Sequence, residues 1–292
     1  MAILVDSATK VICQGFTGRQ ASYHMERAIA YGTQVVGGVV PGKGGSRHLG
    51  LPVFDRVADA VAATGATASA VFVPPASAAE AIIEAIDAEL ALIVCVTERI
   101  PVLDMVKVKR RLEGSASRLI GPNSQGILNP GRCKIGVMPA HLERPGRVGI
   151  VSRSASLTSE VVEQVSAQRL GQSTSVGIGG DPVHGLGFVD CLELFFRDPD
   201  TDCVVLLGEI GGSEEEEAAA FLRSQRAPKP VVAYVAGLSA PTERRMGHAG
   251  TVNVFGQGGA AEKIESLRGA GVTVAESVAE IGQTVRQALK AA

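Results

Sequence analysis

Met246-Gly247-His248-Ala249-Gly250 sets one imidazole among glycines, and the loop continues through Gly256, Gly258 and Gly259. Small neighbours leave the ring open and let backbone N–H groups approach whatever it carries. Imidazole is also the side chain whose unperturbed pKa makes it a good nucleophile near neutral pH. A histidine presented in this way suits a transient covalent carrier such as a phosphoryl acceptor. The competing reading is a turn whose ring faces solvent.

A second glycine loop, Gly15-Phe16-Thr17-Gly18-Arg19-Gln20-Ala21, follows a strand-like run and opens a helix. Its backbone N–H groups can hold a phosphate, helped by the helix dipole. It is not a clean G-x-G-x-x-G, and the next strand ends in Gly37-Gly38-Val39-Val40-Pro41 without an acid for the ribose hydroxyls of a nicotinamide dinucleotide. An NAD-dependent oxidoreductase is therefore disfavoured. Residues 37–44 match G-x-x-x-x-G-K, yet glycine stands where a P-loop needs the Ser or Thr that ligates magnesium. Leu49-Gly50-Leu51-Pro52 follows too soon for the required helix, so Lys43 reads as a phosphate-contacting cation on a loose glycine loop. Glu214–Glu217 opens a helix, where acids favour the dipole. It reads as a solvated helix start, and no metal site is expected.

The elements that must position these residues form two α/β series. Strands are expected over Lys10–Gln14, Gln34–Val40, Ala68–Val73, Ala91–Val96 and Ser117–Ile120, with helices over Ala76–Glu89 and Val102–Leu112. The pattern weakens between Gly121 and Gly146, where Pro122, Pro130, Pro139 and Pro145 mark a linker. A second series follows, with strands near Arg147–Val151, Ser173–Val176, Cys203–Leu207, Val231–Val235 and Val272–Ala275. Its helices are expected near Thr158–Gln168, Ser213–Ser224, Ala260–Gly269 and Val278–Leu289. The expected domains are therefore 1–121 and 147–292, joined by 122–146. The motifs sit at carboxyl ends of strands, where such folds bind ligands.

The 292 residues suffice for two domains, and 46% hydrophobic content with 35 glycines fits α/β units joined by tight turns. A net charge of −2 gives no footprint for nucleic acid. Cys13, Cys95, Cys133, Cys191 and Cys203 are scattered and lack a C-x-x-C pair, which fits buried reduced thiols. The first residues show no basic segment followed by a long apolar one, and no apolar run approaches about 18 residues. A cytoplasmic enzyme component is expected, without membrane contact.

The chain resembles the α subunits of succinyl-CoA synthetases and their acid–CoA ligase relatives from residue 3 to near 290. The resemblance rests on Gln14-Gly15-Phe16-Thr17-Gly18, Pro41-Gly42-Lys43-Gly44-Gly45, Gly121-Pro122-Asn123, Ser152-Arg153-Ser154, Gly177-Ile178-Gly179-Gly180-Asp181-Pro182, Gly208-Glu209-Ile210-Gly211-Gly212 and the His248 tract. It implies a Rossmann-like CoA-binding domain followed by a flavodoxin-like ligase domain. It also implies a β subunit of ATP-grasp fold, carrying ATP or GTP with Mg2+, in an αβ or (αβ)2 heteromer. His248 matches the phosphohistidine, and Glu209 would accept the ring's Nδ1–H so that Nε2 attacks. Thr17, Gly18, Arg19, Gln20 and Lys43 match the family's CoA loop, and Val96, Thr97 and Glu98 a further CoA contact. The amides of Ser154, Ala155 and Ser156, at the start of a helix, would hold the phosphoryl group.

Three blocks depart from the family pattern. The usual Ser-Arg-Ser-Gly-Thr-Leu-Thr-Tyr ends here in Ser159, and Gly-Pro-Asn-Cys-Pro-Gly becomes Gly121-Pro122-Asn123-Ser124-Gln125-Gly126. The glycine-lysine tail after the histidine becomes Val254-Phe255-Gly256-Gln257-Gly258. Beside Asn123, the residues Ser124, Gln125 and Ser159 are expected to give a roomier acid pocket, richer in hydrogen-bonding groups. Succinate is the default short diacid, with malate or another polar diacid as the alternative. A reading from another class is a CoA-binding regulatory subunit without phosphotransfer.

Overall fold

The computed structural model describes residues 3–240, 248, 251 and 258–291. The first half runs β1 (Lys10–Gln14), α1 (Arg19–Tyr31), β2 (Gln34–Val39), β3 (Arg47–His48), β4 (Leu51–Phe54), α2 (Val57–Thr64), β5 (Ala68–Val71), α3 (Pro75–Asp87), β6 (Leu92–Cys95), α4 (Val102–Leu112) and β7 (Arg118–Ile120). These strands lie in the order β3-β4-β2-β1-β5-β6-β7, with only the short β3 antiparallel to its neighbour. Without β3 this is the 3-2-1-4-5-6 order of a dinucleotide-type fold, whose direction of winding reverses between β1 and β5.

The second half runs β8 (Gly126–Asn129), β9 (Cys133–Gly136), β10 (Pro145–Ser152), α5 (Ala155–Ala167), β11 (Gln172–Gly177), α6 (Phe188–Arg197), β12 (Cys203–Glu209), α7 (Glu214–Gln225), β13 (Val231–Ala236), α8 (Ala260–Arg268), β14 (Thr273–Val274) and α9 (Ile281–Ala291). Its sheet order is β14-β13-β12-β10-β11-β8-β9. The parallel strands β11-β10-β12-β13-β14 follow the flavodoxin-like 2-1-3-4-5 order, with the reversal between β10 and β12. Every residue of β12, Cys-Val-Val-Leu-Leu-Gly-Glu, is buried, as expected for a central strand covered on both faces.

Residues 122–146, expected as a linker, contribute β8 and β9 to the second sheet. β8 pairs antiparallel with β11 through Ser175↔Leu128 and Val176↔Ile127. Prolines and glycines at the turns hid two four-residue strands whose Ile127, Leu128, Cys133 and Ile135 are core residues. This hairpin also clasps the first half. Lys134 N–H donates to Thr33 Oγ1 at 2.9 Å, Thr33 donates back to the Lys134 carbonyl at 3.1 Å, and Gly131 N–H donates to Tyr31 Oη at 2.7 Å. Met25 and Ala28 of α1 share an apolar cluster with Cys133 and Ile135. Helices α2 and α6 were also not legible as helices. Among the described residues no helix is long and apolar enough to cross a membrane.

Candidate active site

At the carboxyl edge of the second sheet, β10, β11 and β12 end side by side at Ser152, Gly177 and Glu209. His248 Nδ1 lies 2.8 and 2.9 Å from the two carboxylate oxygens of Glu209. An ionised carboxylate only accepts, so Nδ1 carries the proton and Nε2 the lone pair. The hydrogen bond and charge of Glu209 raise the His248 pKa, against burial and the Arg153 charge. Gly180 lies under the ring, and a Cβ there would stand 2.3 Å from Nδ1. Only glycine leaves room for the imidazole at that point. Of the tract around the histidine, Met246, Gly247, Ala249, Gly250 and residues 254–257 lie outside the described residues.

Beneath Glu209 is a buried ionic network. Arg153 Nη2 reaches Glu209 Oε1 at 3.4 Å, and Nη1 donates to Glu215 Oε1 at 3.1 Å and the Gly211 carbonyl at 3.0 Å. Glu215 Oε1 also accepts the Glu209 backbone N–H at 3.0 Å. Its other oxygen takes Lys263 Nζ at 2.5 Å, and Lys263 further donates to Glu216 and the Gly212 carbonyl, each at 2.9 Å. The Glu215 and Lys263 side chains are 0% exposed. The glutamate run is thus a solvated helix start only at its outer side, where Glu217 is exposed, while Glu215 is buried in the network. The neighbouring Glu214 pairs with His184 Nε2 at 2.5 Å, while His184 Nδ1 faces the Asp181 carbonyl at 3.0 Å. Both ring nitrogens of His184 meet acceptors. Burial lowers its pKa, but the hydrogen bond and charge of Glu214 outweigh that and raise it.

Ser154 caps α5, accepting the Leu157 N–H at 3.4 Å, while Ala155 and Ser156 are exposed at the first turn. The Ser154 N–H is taken by Ser152 Oγ at 3.0 Å, so it is the amides of Ala155 and Ser156 that face outward at the reversal between β10 and β12, where an anion is favoured. Ser124 and Gln125, expected to line an open pocket, are buried instead. Ser124 Oγ donates to the Gly177 carbonyl at 2.5 Å and Gln125 Nε2 to Thr158 Oγ1 at 2.6 Å. Their polar groups tie the segment before β8 to the second sheet, because β8 packs there. Ser159 is half-buried, and its hydroxyl turns back to the Ala155 carbonyl at 3.5 Å.

In the first sheet, Thr17, Gly18, Arg19 and Gln20 stand at the end of β1, Lys43 after β2, and Val96, Thr97 and Glu98 after β6. Lys43 Nζ donates to Thr17 Oγ1 at 2.9 Å, so the two glycine loops meet. Gly15 has φ +83°, and a Cβ there would stand 3.1 Å from the Phe72 carbonyl, so the turn requires glycine. Thr97 Oγ1 donates to the Val73 carbonyl at 2.7 Å. Asn123 joins the two edges. Its N–H donates to the Thr97 carbonyl at 2.9 Å and its Nδ2 to Asp181 Oδ1 at 3.1 Å. Asp181 follows Gly180, so a short bonded path links the loop after β6 to the histidine. Burial raises the Asp181 pKa, against the Asn123 hydrogen bond and the His248 charge.

Arg153, Glu215, Lys263, Gly180 and Asp181 had no assigned role in the sequence. One signal was available: Ala260, Lys263 and Leu267 share the buried stripe of α8, and Glu215, Ala218 and Leu222 that of α7. A charge on each apolar stripe points to a buried pair.

Family models match the chain in two blocks, a CoA binding domain over residues 6–99 and a CoA-ligase over 151–280. The "Succinate--CoA ligase [ADP-forming] subunit alpha" of Aquifex aeolicus is 51% identical over 99% of this chain and 95% of that protein. The subunit of the same name from Staphylococcus aureus is 49% identical over 100% of this chain and 96% of that protein. Among solved structures, ATP citrate lyase from Methanothrix soehngenii in complex with citrate and coenzyme A superposes with a TM-score of 0.88 at 26% identity over 99% of this chain. This chain spans 51% of that one, about half its length. A dinucleotide-forming acetyl-coenzyme A synthetase from Ca. Korarchaeum cryptofilum shares the fold, with a TM-score of 0.77 at 19% identity, covering 94% of this chain and 60% of that one. With about half its residues identical from end to end, and both family models matched in order, the chain belongs to the family of succinate–CoA ligase alpha subunits.

Proposed function

We propose that this chain is the α subunit of an ADP-forming succinate–CoA ligase and that His248 is its phosphoryl carrier. The observation that carries this reading is the double engagement of Nδ1 by Glu209, which leaves the Nε2 lone pair for attack. Nε2 attacks the γ-phosphorus of ATP, the bond to the β–γ bridging oxygen breaks, and ADP leaves. A succinate carboxylate oxygen then takes the phosphoryl from Nε2, giving succinyl phosphate and the free imidazole. The CoA sulfur attacks the acyl carbon, and inorganic phosphate departs with the thiol proton. Splitting the overall condensation into these displacements replaces one difficult step by easier ones.

The amides of Ala155 and Ser156 would receive the phosphoryl group, with Ser154 capping the helix while its own N–H is held by Ser152 Oγ at 3.0 Å, and with the α5 dipole favouring the charge. Thr17, Gly18, Arg19, Gln20 and Lys43 would hold CoA phosphates, and Val96, Thr97 and Glu98 its further length. Asn123 and Ser159 would border the acid, with Ser124 and Gln125 acting from behind as buried supports. Residues up to 121 make the CoA-binding domain. From 122 onward the chain belongs to the ligase domain, since β8 and β9 extend its sheet. The nucleotide and Mg2+ site belongs to an ATP-grasp β subunit, in an αβ or (αβ)2 assembly in the cytoplasm. Five free cysteines, all buried, suit a reducing compartment.

The test is peptide mass spectrometry of the co-expressed αβ pair after incubation with ATP and Mg2+. One phosphate is expected on His248, discharged by succinate and CoA together. Succinyl-CoA formation without phosphate on that residue would overturn the reading.

A further inference from the structure

Glu209 is held from two sides. His248 takes its carboxylate at 2.8 and 2.9 Å, and Arg153 lies 3.4 Å from Oε1 on the buried side. Arg153 is itself fixed by Glu215 and the Gly211 carbonyl, and Glu215 by the wholly buried Lys263. Two buried cations therefore face two buried carboxylates. Glu216, at the rim, adds a third carboxylate to the network through Lys263.

We infer that Arg153, seated by Glu215 and Lys263, is a positioning residue that limits how much of the Glu209 charge acts on His248 and so preserves the Nε2 lone pair. An isolated carboxylate against an imidazole favours the imidazolium, which has no lone pair to attack phosphorus. A guanidinium on the far side of the same carboxylate opposes that protonation while leaving the Nδ1 hydrogen bond in place. The buried network resists rearrangement because stripping any member leaves an uncompensated buried charge. Glu215 serves the geometry as well, since it accepts the Glu209 N–H and so fixes the strand end.

Among the described residues, the charged groups facing His248 come from three elements. Glu209 ends β12, Arg153 follows β10, and Asp181 follows β11. Asp181 acts in the same direction as Glu209 and is restrained by Asn123, with Glu98 facing it. Behind Glu209 stand Glu215 on α7 and Lys263 on α8, and the His184–Glu214 pair flanks Arg153. Among the described residues, Arg153 is the cation that acts directly on the ring.

The catalytic consequence rests on His248 being the phosphoryl acceptor, whereas the charge balance does not, so two readouts are needed. Both use the αβ complex between pH 5.5 and 8.5. One is the rate of His248 phosphorylation from ATP. The other is the rate of His248 carbethoxylation by diethyl pyrocarbonate, followed by peptide mass spectrometry, because that reagent acylates only neutral imidazole. In Arg153→Gln both profiles should move to higher pH, so that each rate at pH 6, relative to its own plateau, falls about threefold or more against wild type. Arg153→Lys should return the profiles toward wild type. Glu215→Gln, which leaves positive charge in excess, should move them to lower pH, and it decides the matter alone if Arg153→Gln does not assemble. Superimposable profiles, or shifts of the opposite sign, overturn the inference. A wild type that takes no phosphate on His248, yet shows the expected carbethoxylation shifts in the variants, would refute the carrier role and leave the Arg153 inference standing.

Discussion

The carboxyl edges of the two sheets carry sites of opposite construction. At the first, Gly18, Arg19, Gln20 and Lys43 are exposed, and Lys43 meets Thr17 across two glycine loops at 2.9 Å. At the second, Glu209, Arg153, Glu215 and Lys263 are buried and bonded to one another. The contrast follows from the ligands each edge is proposed to handle. A long, flexible thioester carrier is gripped by exposed donors that adjust to it, and each contact contributes modestly. A nucleophile must present one lone pair in one direction, so its partners are fixed before the substrate arrives. Burying charges for that purpose is tolerable only when each is paired and hydrogen-bonded.

The largest effect that could break the contrast is expected from His248→Ala. Net turnover and phosphate incorporation should vanish, while CoA affinity of the αβ pair, measured by calorimetry, stays within about twofold because the CoA loops lie on the other sheet. A tenfold loss of CoA affinity would show that the two edges are not independent.

Gly180→Ala should come next. A Cβ 2.3 Å from His248 Nδ1 would displace the ring from Glu209, and a misplacement of about 1 Å costs about a hundredfold in phosphorylation rate. Rapid-quench measurement of phosphorylation, with CoA affinity as the control, reads it. An unchanged rate would mean that the fixed geometry of the second edge is unnecessary.

Lys43→Ala should weaken CoA by roughly 1–3 kcal/mol, the range for a lost charge-assisted hydrogen bond. Phosphorylation from ATP should proceed at the wild-type rate, since that half-reaction needs no CoA. The reverse pattern would place Lys43 in the wrong site.

The smallest effect sharpens the point about buried charge. Lys134 of β9 is 3% exposed and donates to the Gly136 carbonyl at 2.7 Å, and burial lowers its pKa to about 8, assisted by the nearby Arg27 charge. The folded chain then binds this proton less tightly than the unfolded one, whose lysine keeps its ordinary value. Wild-type stability should therefore rise as pH climbs from about 8 toward 10, where the folded state sheds the charge first. Lys134→Met should raise the Tm of the complex at pH 7 by about 2–6 °C, with the gain shrinking by pH 10. A gain that grows with pH would contradict the assignment.

Much of this was legible because it is local. The β-branched runs of β1 and β12, the helix of residues 102–112 and the glycines around His248 all report on neighbours a few residues away. Residues 122–146 misled because their strands are short, flanked by prolines, and stable only against β11 and α1. Ser124 and Gln125 read as pocket-lining groups for a related reason. A sequence gives the type of a polar side chain, and only its neighbours decide whether Gly177 or a ligand receives its hydrogen bond.

The sequence by itself determined the α/β alternation, the two glycine loops and the family, and it pointed to His248 as the candidate phosphoryl carrier. It also placed Glu209 at the end of an apolar strand. Tertiary structure alone decided that Arg153, Glu215 and Lys263 converge under that glutamate, from the end of β10 and from helices α7 and α8. Lys263 and Glu215 stand 48 positions apart in the chain, and Arg153 and Glu215 62. Pairing over such separations depends on the crossovers that bring strand ends to one edge, and on burial that strips each charge of water until another side chain replaces it.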